Sequence, residues 1–232
     1  MVQRGDEAVP VPPWRARSGR TRAPLTQAVI VTAALELVER AGVEAVSMRT
    51  VAEALGTGPS SIYRHVAGKD ELLELVLDQV LGEVRIPPPD ADDWRRPLRE
   101  LAHEVRRVLL GHGDIAAVAL SGRPVGGNPV RIAEGLLAIL RTAGFDDRVS
   151  AWVVDRLSLY VTADALDVAR RRLSAASGTE RWNQVAEYYR ALPEQRFPHT
   201  VAVLGELFAG DEADRFAAGL DIFLDGLDRR RP

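Results

Sequence analysis

The chain contains no cysteine, which excludes disulfides, thiolate zinc sites, iron–sulfur clusters and a cysteine nucleophile. No run of about 18 uninterrupted apolar residues occurs, so no membrane-spanning helix and no membrane partner is expected. The first 25 residues carry Arg and Pro without the apolar stretch of a secretory leader, and a cytoplasmic location is the default expectation. Lysine is nearly missing: of 30 basic residues only Lys69 is a lysine. Local signatures of common enzyme chemistry are also lacking. There is no H-E-x-x-H, G-x-S-x-G, Walker-type loop or G-x-G-x-x-G, and His65, His103, His112 and His199 are scattered. An all-α enzyme is therefore disfavoured, and no metal or cofactor is expected.

What is present is an ordinary globular composition. The 232 residues are 46% hydrophobic and 27% charged, enough to bury a sizeable core in one or two domains. The net charge of −3 looks wrong for a nucleic-acid binder, but its distribution matters more. Residues 1–30 hold five Arg against Asp6 and Glu7, whereas residues 76–232 are slightly acidic, so basic charge is biased to the N-terminus. Residues 1–24, interrupted by Pro10, Pro12, Pro13 and Pro24, read as a tail without periodicity. It is either a solvated leader or an arm that reaches DNA phosphates or a minor groove.

From Thr26 onward the apolar period is helical. Ile30, Ala34, Leu37, Val38 and Ala41 form one stripe, with Thr26 as N-cap and Gly42 as stop. A short helix follows from about Ser47 to Gly56, then the turn Thr57-Gly58-Pro59, a third helix from Ser60 to Val66, and a fourth through about Val84. Pro87-Pro88-Pro89 is a hard break. Beyond it helical segments are expected at about 93–110, 114–120, 128–143, 147–174, 180–191, 199–209 and 211–228. The acidic pairs Asp92-Asp93 and Asp146-Asp147 fall at helix starts, where capping explains them. The expected fold is all-α: a small N-terminal module over residues 25–85 and a larger helical body over 86–232.

Two short helices joined by a Gly-containing turn meet the requirement of a helix-turn-helix. At about 100° per residue, Pro59, Ile62 and Val66 share one side of the third helix and can pack on the first two. Ser60 and Arg64 point the other way, flanked by Ser61 and Tyr63. Small hydroxyls and a guanidinium suit base edges and phosphates in a major groove. The same shape with an ordinary polar face also occurs in proteins that do not bind DNA, so pattern alone leaves both readings open.

The motifs add specificity. Ala52-Glu53-Ala54-Leu55-Gly56, Ser61-Ile62-Tyr63-Arg64-His65 and Lys69-Asp70-Glu71-Leu72-Leu73 resemble the DNA-binding domain of the TetR family of bacterial transcriptional repressors. The stretches Trp94–Pro124, Ala143-Gly144-Phe145, Phe197-Pro198 and 219–227 more diffusely resemble the C-terminal domain of its tetracycline-repressor-like members. The resemblance implies a ligand-responsive homodimer that binds a palindromic double-stranded operator. By position it implies base or phosphate contact for Arg49, base reading for Pro59, Ser60 and Ser61, phosphate contact for Tyr63, His65 and Lys69, and operator preference for Arg64. Tyr63 has a second reading as a packing residue.

In this family the body encloses a small-molecule pocket, and ligand binding shifts the spacing of the two recognition helices. The resemblance places Leu101, Val105, Leu109, Val118, Arg123, Leu136, Leu140, Trp152 and Leu157 at that pocket, although each apolar member is equally readable as plain core. Ala119, Arg85 and Leu101 stand where the tetracycline repressor has polar drug- or metal-contacting residues, so a small apolar or amphipathic effector is expected instead of tetracycline. His103 and His112 are either polar anchors or surface groups. The resemblance assigns the 147–174 helix and the last helix to a dimer bundle, with Val153, Tyr160, Phe216, Leu220, Phe223, Leu224 and Leu227 at its interface. The last stripe has the alternative of closing the subunit's own core. A dimeric ligand- or protein-binding module without DNA binding is the runner-up function.

Overall fold

A computed structural model of the chain describes residues 24–122, 125–173 and 175–230. The tail before Pro24 and the expected pocket residue Arg123 lie outside the described residues.

Every regular element among the described residues is helical. Helix α1 spans Gln27–Ala41, with the Thr26 hydroxyl accepting from the Val29 amide and Gly42 at φ +80° ending it. A 3₁₀ turn, Val43–Ala45, leads to α2 at Met48–Ala54. Ser47 and Thr50 cap α2 reciprocally, which satisfies two amides that a seven-residue helix cannot bond internally. Helix α3 is shorter than its sequence suggests. It runs only Pro59–Ile62 and continues as turns through His65. Its tertiary anchors are Ile62 and Val66, both buried in the same core cluster as Ile30, Val38 and Val51. Pro59, expected on that inner side, is exposed. As the first residue of so short a helix it caps the outer edge, where its missing N–H costs nothing.

Helix α4, Lys69–Leu81, begins with Asp70 and Glu71 at its positive end, and Glu71 also accepts from the Ala67 amide. It stops at Leu81 and Gly82, three residues before the expected Val84. Leu72, Val76 and Val80 are fully buried along it, which ties the N-terminal helices to the body.

The body comprises α5 (Arg95–Leu110), α6 (Ala116–Ser121), α7 (Gly127–Thr142), α8 (Asp147–Leu173), α9 (Ala175–Arg190), α10 (Pro198–Ala202), α11 (Leu204–Phe208) and α12 (Glu212–Asp228). The segment expected at 199–209 is two short helices broken at Val203, and α9 starts earlier than the expected 180. Both acidic pairs act as caps: Asp93 accepts from the Arg96 amide at 3.2 Å and Asp146 from the Val149 amide at 2.8 Å. Helix α8 is the spine, with α5, α6 and α7 laid against it. A buried polar knot pins α12 to this spine. Arg106 is bonded to Asp164 at 2.5 Å, and its guanidinium covers Phe216 at 4.7 Å. Tyr160 stacks on Phe216 and donates to its carbonyl at 2.7 Å.

Candidate nucleic-acid interface and adjoining cavity

Around α3 the polar groups predicted to meet DNA are on the outside. Pro59, Ser60, Tyr63 and Arg64 are exposed, and Ser61 is half-buried between them. Tyr63 keeps 55% of its surface, which disfavours its reading as a packing residue. Arg49 stands free on α2 apart from an exposed pair with Glu53 at 2.8 Å, a pair that contributes little stability and leaves the guanidinium available. His65 is half-buried, and its carbonyl accepts from the Gln27 side chain at 3.3 Å. That bond brings the start of α1 to the rim of the same face. Nothing local in the sequence ties Gln27 to a residue 38 positions away. Lys69 lies at the start of α4 with its ammonium 4.0 Å from Glu44, close enough for only a loose attraction.

The other end of α4 meets a cavity of about 660 Å³, within the range of small-molecule sites. Leu81 of α4, Leu101, Val105 and Leu109 of α5, Ala119 of α6, Val130, Ala133 and Leu136 of α7, and Trp152, Leu157 and Val161 of α8 line it. Polar character is confined to Asp155, Ser158 and Thr162 on α8. Trp152 is 53% exposed at the rim with the Arg148 guanidinium 4.5 Å above its ring. Of the expected lining, Val118 and Leu140 do not belong. Val118 borders a separate cleft with Val43, Leu73 and Leu77, and Leu140 is fully buried one turn beyond Leu136, where the core closes. Leu81, Val130, Ser158 and Thr162 join the lining without a sequence signal, since single residues at a void carry no periodic mark.

Neither histidine candidate enters this cavity. His103 lies edge-on to Phe216, and partial burial together with the Arg106 and Arg99 charges pushes its imidazole below the ordinary value. His112 bridges Glu39 and Glu83.

The cavity is wired to α4 on its far side. Arg131 of α7 donates to the carbonyls of Leu81 and Val84, each at 3.1 Å, at the end where helix carbonyls lack partners. Asp78 of α4 accepts from the Asn128 amide at 2.9 Å, and the Asn128 side chain donates back to the Asp78 carbonyl at 3.0 Å. The helix that follows α3 is thus bonded directly to a wall of the cavity.

Residues 30–76 match the family model described as bacterial regulatory proteins, tetR family, and residues 86–231 match that described as tetracyclin repressor-like, C-terminal domain. The chain belongs to the TetR family of transcriptional regulators. It is 39% identical over 176 residues to an HTH-type transcriptional regulator of Saccharopolyspora erythraea, covering 75% of this chain and 73% of that protein. It is 32% identical over 210 residues to the HTH-type transcriptional repressor DrrR1 of Streptomyces coeruleorubidus, covering 88% and 77%. The solved structure of Streptomyces coelicolor ActR in complex with actinorhodin superposes with a TM-score of 0.80 at 38% identity, covering 88% of this chain and 96% of ActR. As a TetR-family member the chain is a ligand-responsive DNA-binding repressor and not an enzyme. The module without DNA binding is not favoured.

The residues expected at a TetR-type dimer interface divide by burial. Val153, Phe216, Leu220, Leu224 and Leu227 are buried inside their own subunit, and Tyr160 and Phe223 are half-buried. Helix α12 uses its main apolar stripe to close the monomer core, held by Arg95 to Asp225 at 2.8 Å and Arg99 to Asp221 at 2.6 Å. What it leaves outside is Ile222, 75% exposed, with the exposed Ala218 and Gly226 beside it. On α8 the large exposed apolar residues are Trp152, Leu159 and Leu173, Leu159 being 45% exposed.

Proposed function

We propose that the chain is a homodimeric repressor in which two copies of α3 read a palindromic operator and a small, mostly apolar effector releases it. Residues 25–85 read DNA, and residues 86–232 hold the effector and the partner subunit. Arg49, Pro59, Ser60, Ser61, Tyr63, Arg64, His65 and Lys69 make the DNA contacts. Ser60, Ser61 and Arg64 set sequence preference, and Tyr63 and Lys69 hold phosphates. Subunits meet through the outer faces of α8 and α12, around Leu159 and Ile222, because a two-helix apolar surface left outside the core is what a second copy can cover.

The observation that carries this reading is the cavity touching Leu81 at one end of the helix whose other end follows α3. An effector that fits the cavity better in one placement of α4 shifts the two reading faces by its differential affinity for the two states. The apolar lining, with polar groups on one side only, supports an amphipathic effector. Complexes of the ActR relative with actinorhodin and with (S)-DNPA support a small-molecule ligand in this body.

The reading is tested by fluorescence titration of Trp152 at the rim, using actinorhodin and an anilinonaphthalene dye as probes. Ala133→Phe, which projects a ring into the cavity, is expected to weaken probe binding at least about tenfold while operator affinity stays unchanged. Equal probe binding by the variant would remove the cavity from the account. In sedimentation, Ile222→Arg is expected to yield monomers, and a persistent dimer would place the interface elsewhere.

A further inference from the structure

The five-residue loop between α5 and α6, Gly111-His112-Gly113-Asp114-Ile115, is pressed against the end of α1. Gly113 sits at φ +61°, and a Cβ there would lie 2.8 Å from the Val38 carbonyl oxygen, so the loop backbone is flush with the helix end. Asp114 is buried and accepts from the Val43 amide at 2.7 Å, just past the Gly42 stop. Beside it His112, with only 15% of its side chain exposed, lies between two carboxylates. Its Nδ1 is 2.7 Å from Glu39 on α1, and its Nε2 is 3.0 Å from Glu83 just beyond α4.

Only a doubly protonated imidazolium donates to both acceptors; a neutral ring donates to one and turns a lone pair toward the other carboxylate. Imidazole is the side chain that exchanges this proton near neutral pH. The charged groups around the ring are Glu39 from α1, Glu83 after α4, Asp114 in the same loop, and Arg107 of α5, whose guanidinium also feels Glu83. We propose that His112 is a positioning residue, a proton-dependent clamp joining α1, the end of α4 and the α5–α6 loop, so that the angle of the DNA-reading helices and hence operator affinity depend on pH. The clamp adds proton control to the effector control described above and rests on the DNA-binding reading. Because α5 and α6 both border the cavity, the same loop is a second route from effector to reading face, through α1 as well as α4.

The test compares the full chain with His112→Gln and Glu83→Gln, binding the DNA upstream of its own gene at fixed salt between about pH 6 and about pH 8. Every other group is shared by wild type and variants, so the difference between their profiles isolates the His112 contacts. The wild-type profile is expected to differ from both variants by at least about threefold in the ratio of affinities at the two pH values. Superimposable profiles would overturn the clamp. Glu83→Gln changes a half-exposed side chain and keeps the fold intact if His112→Gln does not. A DNA-free readout separates this failure from that of the regulator reading. Exchange protection of the Val43 amide, corrected for intrinsic rate, is expected to change with pH in the wild type and to stay level in the two variants. Equal behaviour in all three overturns the clamp even if the wild-type protein binds no DNA.

Discussion

The proposed DNA-reading face and the proposed effector cavity sit at opposite ends of α4 and are built by opposite rules. The face is a four-residue helix with Ser60 exposed and Ser61 half-buried, and its stability is borrowed from two buried residues, Ile62 and Val66. The cavity is an omission: apolar side chains of α4, α5, α7 and α8 that elsewhere would interdigitate leave about 660 Å³ between them. A surface that binds through displayed groups can be changed residue by residue at little cost to the fold. A void inside a core cannot, because its walls also hold the subunit together.

That contrast makes the effects separable, and the largest is expected in the body. Asp164→Ala strands the buried Arg106 charge and should cost about 3 kcal/mol of stability, read by chemical denaturation, with no change in operator contacts. Normal stability would mean the knot around Phe216 is not structural. Gly219→Ala comes next. Its Cβ would lie 2.3 Å from the Tyr160 hydroxyl, which must move off the Phe216 carbonyl, for a loss of roughly 1–3 kcal/mol. On the reading face the signs reverse. Tyr63→Ala should weaken operator binding about tenfold with unchanged stability, whereas Arg64→Ala should redistribute preference among operator variants by roughly 1–3 kcal/mol at one position. A marked fall in stability for either would erase the contrast.

The smallest effect is a pH slope. His103 has its imidazole pushed down in the folded chain by burial and by Arg106 and Arg99. The folded state therefore binds that proton less readily than the unfolded state, and the stability tied to this group is complete at neutral pH and above. It declines as pH falls through the unfolded imidazole value of about 6.5. His103→Gln should make the acid-side decline in Tm shallower than in the wild type, and an identical decline would show that His103 carries none of it.

The two regions also differ in how far their sequence can be read. Thr26, Ser47, Gly42 and the stripe through Ile30 and Val38 mark α1 and α2 locally, because caps and 3.6-residue periods act over one or two turns. Ser60, Tyr63 and Arg64 are legible as outward once Ile62 and Val66 are inward. Pro59 misleads because angular position on an ideal helix says nothing about where so short a helix ends. In the body an apolar stripe shows that a face is covered and not by what. Phe216, Leu220 and Leu224 cover their own core, while Ile222 between them stays exposed. Leu136 and Leu140 are alike in type and spacing, yet only the first borders the void. Long-range bonds such as Asp114 to Val43 and His112 to Glu39 have no local signature at all.

The most direct measurement is binding of the purified chain to DNA from upstream of its own gene at two salt concentrations, beside a variant carrying Ser60→Ala, Tyr63→Ala and Arg64→Ala. Sequence-preferring binding is expected that drops at least about a hundredfold between roughly 50 and 200 mM salt, with preference lost in the variant and its thermal stability unchanged. A folded variant that occupies the same sites as tightly as the wild type would contradict the assignment of α3 as the reading helix.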